Sequence, residues 1–145
     1  MSVKFSIIAP SRVCAQTLSK TLIDLAITLC KLSIVEEIRT VRKNAAKNFM
    51  EGEEQCRLYY KTDKLLFGTS ILPPGKKGTV DPGHKNGHEI FYCARGRVVC
   101  RFPRIDKYEE LDEGDIVVIP PGEPHELINQ GTSEALVCWS LAPPD

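Results

Sequence analysis

The chain has 145 residues, enough for one domain and too few for two of ordinary size. It is 42% hydrophobic and 26% charged, which excludes a disordered chain, and its 19 basic residues balance 19 acidic ones. That balance leaves no electrostatic footprint for nucleic acid or an anionic membrane.

In chain order, residues 1–12 carry an apolar patch too short for the core of a secretion signal. Residues 18–35 are apolar but include Lys20, Asp24 and Lys31, whereas a spanning helix needs about 20 nearly uncharged residues. Leu18, Leu22, Leu25, Leu29 and Leu32 recur at three- and four-residue steps, which predicts an amphipathic helix in a soluble protein. Ser33 and Glu36 fit the cap of a second short helix. Asn44 and Asn48 are break signals, so the stretch through Phe49 reads as helix or irregular chain. Residues 1–52 are thus expected to be a helical extension packing on the strand-rich remainder of the chain.

After Gly52 the pattern changes to short strands. The expected runs are 57–61, 65–72, 89–94, 97–102, 108–111, 116–119, 125–129 and 135–141, rich in Val, Ile, Leu, Tyr and Phe. Pro73-Pro74-Gly75, Asp81-Pro82-Gly83, Arg95-Gly96, Pro120-Pro121-Gly122 and Gln130-Gly131 punctuate them. Many short strands at this spacing predict an all-β domain over 53–145, a sandwich, jelly roll or barrel. Six cysteines at 14, 30, 56, 93, 100 and 138 form no C-x-x-C pair, and they read as reduced thiols of a cytoplasmic protein.

The three histidines, His84, His88 and His125, all lie in the strand-rich part. Neutral imidazole is the commonest protein metal ligand, and a carboxylate such as Glu89 often completes an iron or manganese site. Residues 114–129 read G-D-x4-P-x-G-x2-H-x3-N, from Gly114-Asp115 through Pro120, Gly122 and His125 to Asn129. Glu89 and Gly96 stand six residues apart, and four residues separate His84 from Glu89.

This pattern resembles the two signature motifs of the cupin superfamily, over roughly residues 65–142. The second motif matches at every defining position. The first, G-x5-H-x-H-x3-4-E-x6-G, is incomplete. Either His84 takes the second histidine's place with Pro82 at the first, or it takes the first with Asn86 at the second. The resemblance implies a double-stranded β-helix, the jelly-roll cupin barrel, often found as a homodimer. It also implies one divalent transition metal ion (Fe, Mn, Ni, Zn or Cu) inside the barrel, held by His84, Glu89 and His125. His88 is an additional candidate ligand, although neighbours on a strand point to opposite faces. Alternation from Glu89 and His125 places Phe91, Cys93, Leu127 and Asn129 on the pocket lining. Arg57, Arg97 and Arg101 are candidates for holding a substrate carboxylate, with surface positions the simpler expectation.

Two functions stand as expectations. One is a metal-dependent enzyme on a small organic substrate, of dioxygenase, decarboxylase, isomerase or lyase type. The other is a non-catalytic module that binds or senses a small molecule, or a barrel that only dimerises. Neither nucleic acid nor membrane is an expected partner.

Overall fold

The computed structural model describes residues 38–145, and Thr40–Asp145 form one compact unit. The helical segments expected before residue 37 lie outside the described residues. A single 3-10 turn, Lys43–Ala45, leads into nine strands. These are β1 (Lys47–Glu51), β2 (Glu54–Lys61), β3 (Leu66–Leu72), β4 (His88–Arg95), β5 (Arg97–Phe102), β6 (Lys107–Asp112), β7 (Ile116–Ile119), β8 (Glu126–Ile128) and β9 (Ala135–Ala142).

All the strand pairs are antiparallel. One sheet runs β1-β2-β3-β9-β4-β7 and a second runs β6-β5-β8. This is the jelly-roll barrel that the strand spacing and motifs predict. The expected boundary at residue 52 moves, because Lys47–Glu51 is a strand paired with β2, Phe49 opposite Cys56. The segment is polar apart from Phe49 and Met50, so only its partner strand makes it extended.

The barrel closes because inward positions are apolar on both sheets. Strand β4 shows the period of two directly: Glu89, Phe91 and Cys93 are buried, while His88, Ile90 and Tyr92 are exposed. Phe91, Val98, Cys100, Leu111, Val137 and Trp139 belong to one core cluster. Full burial of a side chain such as Phe91 contributes about 2–3 kcal/mol. Phe91 faces Trp139 across β4 and β9, and Trp139 faces Gly68 across β9 and β3. The indole of Trp139 lies over Gly68, where a methyl group would stand 2.1 Å from the ring. Its Nε1 donates to Ser70 Oγ at 2.9 Å.

The loop from Gly75 to His84 runs beside β8 with almost the regularity of a strand. Gly75 N donates to Asn129 O, Asn129 N to Lys76 O, and Gly78 N to Leu127 O, each at 2.9 Å. Asp81 and His125 exchange both backbone bonds, at 2.8 and 3.0 Å. Asn129 anchors this arrangement from below. It is fully buried, donates to Leu72 O and Ser133 O, and accepts from Gly131 N, all at 2.8 Å. Asn129→Ala removes the partner of one buried and two part-buried backbone groups and is expected to cost about 2–3 kcal/mol. A urea denaturation curve within 0.5 kcal/mol of wild type would contradict this anchoring role, about the scatter of ordinary surface substitutions.

Candidate metal centre

Three elements deliver the three side chains. Glu89 points inward from the start of β4 because the strand's alternation puts it on the buried face with Phe91. His125 sits after the Pro120-Pro121-Gly122 corner, one residue before β8, and is 3% exposed. His84 is carried on the 81–86 loop, which several bonds fasten. Gly122 N donates to His84 O at 2.7 Å, and Gly83 N donates to Asp81 Oδ1 at 2.7 Å. Gly83 has φ +87° and lies so close to Glu123 that a Cβ would stand 2.8 Å from its backbone, so only glycine fits. The carboxylate of Asp145 takes the backbone N–H groups of Lys85 and Asn86 at 2.7 and 3.1 Å. The Lys85 bond leads in holding the Asp145 pKa below the usual carboxylate range; desolvation opposes it, and the Asn86 bond and nearby positive charge add to the lowering.

The donor atoms meet at one oxygen. Glu89 Oε2 lies 3.3 Å from His84 Nε2 and 3.2 Å from His125 Nε2. It is buried and makes no hydrogen bond of good geometry. His125 Nδ1 lies 2.9 Å from the carbonyl oxygen of Glu123. A carbonyl can only accept, so Nδ1 carries the proton and the neutral ring turns its Nε2 lone pair toward Glu89. Two lone pairs face each other across 3.2 Å in a buried site. Something positive belongs between them, a proton or a metal ion. Burial works against the charged ring of His125, but Glu89 and the Glu123 carbonyl outweigh it. Its pKa therefore stands above the ordinary histidine value.

The donor set also fits a metal. Ligands at about 2.1 Å from a transition metal ion stand about 3.0–3.4 Å from their neighbours. The two distances to Glu89 Oε2 lie in that range. The carbonyl behind His125 is the kind of partner that orients a metal-binding imidazole. As the side chains stand, no group of three or more His, Cys, Asp or Glu among the described residues is placed to hold a metal ion. Two imidazole nitrogens nevertheless converge on one buried carboxylate oxygen, which is costly to keep without a proton or metal ion beside it.

The cluster opens into a cavity of about 190 Å³. Phe91, Leu66, Leu127 and Trp139 form apolar walls, and the Phe91 ring meets the His125 ring edge-on at 5.3 Å. Of the expected site residues, His84, Glu89, His125, Phe91 and Leu127 line this cavity. Three others lie elsewhere. His88 is on the exposed outer face of β4, opposite Ala142. Cys93 is buried further along β4, with its thiol toward the carbonyls of Arg95 and Gly96. Asn129 is the anchor beneath β8.

Sequence reading missed Glu51, Glu54, Asp81 and Glu126 on the cavity wall. Asp81 had a signal, since it sits three residues before His84 and its carboxylate lies 3.8 Å from the ring. Glu54 had none, because its burial depends on long-range neighbours, among them Gly78. The three arginines are engaged elsewhere: Arg57 donates to Asn48 at 3.1 Å, Arg97 pairs with Asp112 at 2.5 Å, and Arg101 pairs with Glu126. The four described cysteines, Cys56, Cys93, Cys100 and Cys138, are free thiols. No helix among the described residues is long and apolar enough to cross a membrane.

Comparison with known proteins gives the same architecture. The uncharacterized protein MJ1618 of Methanocaldococcus jannaschii is 33% identical over 85 residues, covering 58% of this chain and 66% of that protein. The vicilin Jug r 6.0101 of Juglans regia is 30% identical over 93 residues, 59% of this chain but 18% of the vicilin. The chain thus spans less than two thirds of the length of both. Among solved structures, a conserved double-stranded β-helix protein of Klebsiella pneumoniae superposes with TM-score 0.64 at 19% identity, over 75% of this chain and 93% of that one. The polyketide cyclase RemF of Streptomyces resistomycificus gives 0.60 at 16%, over 73% and 80%. The family model described as the cupin domain matches residues 68–141, half of the chain, and the protein belongs to that family.

Proposed function

We propose that this protein is a metal-dependent cupin enzyme acting on a small organic substrate, with one divalent transition metal ion held by His84, Glu89 and His125. The observation that carries the reading is the buried Glu89 Oε2, without a hydrogen bond and faced by two imidazole nitrogens. An ion bound there would act as a Lewis acid or redox centre toward a substrate oxygen, the chemistry shared by dioxygenase, decarboxylase, isomerase and lyase types.

The chain's own residues do the rest. The Glu123 carbonyl fixes the His125 tautomer. Phe91, Leu66 and Trp139 make an apolar wall that excludes water and strengthens the electrostatics of the site. Glu54 brings a second carboxyl into the cavity, with a pKa raised chiefly by burial. Such a group is a candidate to give or take a proton in the cavity. The fold shared with a polyketide cyclase supports catalysis on a barrel of this size. The reading includes a cytoplasmic homodimer, supported by the free thiols and by Ile90, Tyr92, Ile116 and Val118 exposed together on the outer face of β4 and β7.

The test is thermal unfolding of metal-stripped protein with Mn, Fe(II), Ni, Zn or Cu added. At a concentration 100 times the dissociation constant, the fitting ion is expected to raise Tm by about 10 °C. His125→Ala should abolish the rise. If none of these ions shifts the transition of wild-type protein, the metalloenzyme reading fails.

A further inference from the structure

The cavity wall is far more acidic than the metal cluster requires. Glu51, Glu54, Asp81, Glu89 and Glu126 all line it, and no lysine or arginine does. Arg101 pairs with Glu126 from the adjacent strand, His84 lies 3.8 Å from Asp81, and His84 and His125 face Glu89. Glu51 accepts from the Thr79 hydroxyl at 2.9 Å, and Asp81 accepts from Gly83 N. Glu54 and Glu89 are each at least nine-tenths buried, and Glu89 Oε2 is unpartnered. The thiol of Cys56 offers Glu54 a weak bond at 3.5 Å.

Two neighbouring thiols are shifted chiefly by burial, with carboxylates adding to it. Burial, then the nearby Glu54 charge, pushes the Cys56 thiol up to about 12. Burial, with Glu89 and other carboxylates adding to it, does the same to Cys100. A divalent ion on Glu89 would leave Glu51, Glu54 and Asp81 outside its donor set, none of them paired with a lysine or arginine of the wall.

An incoming carboxylate would have to give up water among these carboxylates, with no lysine or arginine on the wall to receive it. An amine or hydroxyl instead finds acceptors on Glu54, Glu51 and Asp81, and an apolar body finds Phe91, Leu127 and Trp139. We infer that this pocket selects an uncharged or cationic organic molecule, its hydroxyl or amine donating toward Glu54, and excludes organic anions. The inference rests on the reading of the cavity as the ligand site of a metal centre and deepens it by naming the substrate class.

Three probes of one shape separate the possibilities: benzylamine, benzyl alcohol and benzoate. Their binding is measured by isothermal titration calorimetry on metal-stripped and on zinc-loaded protein. Benzylamine and benzyl alcohol are expected to bind at least tenfold more tightly than benzoate in both forms. Glu54→Gln should cut the preference for benzylamine over benzoate severalfold, and Glu51→Gln serves the same comparison if the first variant does not fold. Benzoate binding as tightly as benzylamine to stripped protein, or no binding by any probe, would overturn the inference. Zinc stabilisation together with preferred benzoate binding would leave the metal centre standing and remove the acidic selection. The expected probe order without any metal-induced Tm rise would do the reverse.

Discussion

Glu89→Gln is expected to lower metal affinity at least 100-fold, about 3 kcal/mol, while leaving the metal-free fold as stable as wild type or more so. The substitution keeps shape and removes charge. In metal-free protein the wild-type carboxylate is buried at 7% exposure, with an oxygen that bonds to nothing. A buried anion in that position costs stability, and a glutamine amide could donate to an imidazole Nε2 instead. With metal present the balance reverses, because the charge and the anionic oxygen are what the ion binds. The two readouts together separate a ligand from a structural residue. Calorimetric metal titration of wild type and variant gives the first, and urea denaturation of both stripped proteins gives the second. Unchanged metal affinity, or a stripped variant several kcal/mol less stable than wild type, would show that Glu89 serves packing rather than metal.

The second large effect belongs to Gly68. A Cβ there would lie 2.1 and 2.2 Å from two atoms of the Trp139 ring and 2.6 Å from the backbone oxygen of Arg57. The backbone oxygen lies in the β2–β3 ladder and cannot move without breaking it. The indole can move only by leaving Ser70 Oγ and the cavity wall it shares with Phe91. Gly68→Ala is therefore expected to destabilise the protein by about 3 kcal/mol, lowering Tm by about 10 °C. Replacing Trp139 by Leu in the same chain should recover part of that loss, since the two residues compete for one volume. A Gly68→Ala variant that melts within about 2 °C of wild type would contradict this packing of the indole.

Glu54 supplies a pH test with an unusual sign. Burial raises its pKa in the folded protein above the ordinary glutamate value. The folded state therefore holds that proton more tightly than the unfolded chain. Stability from this group is fully present below the unfolded pKa and is lost as pH rises through the folded one. Glu54→Gln is expected to be neutral near pH 4 and stabilising at pH 8, by comparison of urea midpoints. A variant less stable at pH 8 than at pH 4, each relative to wild type, would contradict the burial of a charged carboxylate there.

The legibility of the site in the sequence followed the local rules available. Strand β4 alternates cleanly, so the inward direction of Glu89 and Phe91 could be read from their spacing alone. The proline-glycine corner before His125 did the same for β8. The rule weakened where pairing is long-range. Strand β8 has three residues, its irregular neighbour is the 75–84 loop, and both Glu126 and Leu127 are buried. Glu126 is buried because Arg101 on β5 meets it, a partner 25 positions away that no periodicity reveals. Strand β1 was hidden by its polar composition, because β2 supplies its extended shape. Glu54 falls in the same class. It opens β2 opposite Glu51 of β1, and Gly78 comes so close that a Cβ there would stand 2.3 Å from its carboxylate.

The most direct measurement is the metal content of protein purified without a histidine tag or chelator, by inductively coupled plasma mass spectrometry. Close to one transition metal ion per chain is expected, retained through gel filtration and lost in Glu89→Gln and His125→Ala. Wild-type protein that holds no metal, even after reconstitution with iron, manganese, nickel, zinc and copper, would contradict a metal centre at these residues.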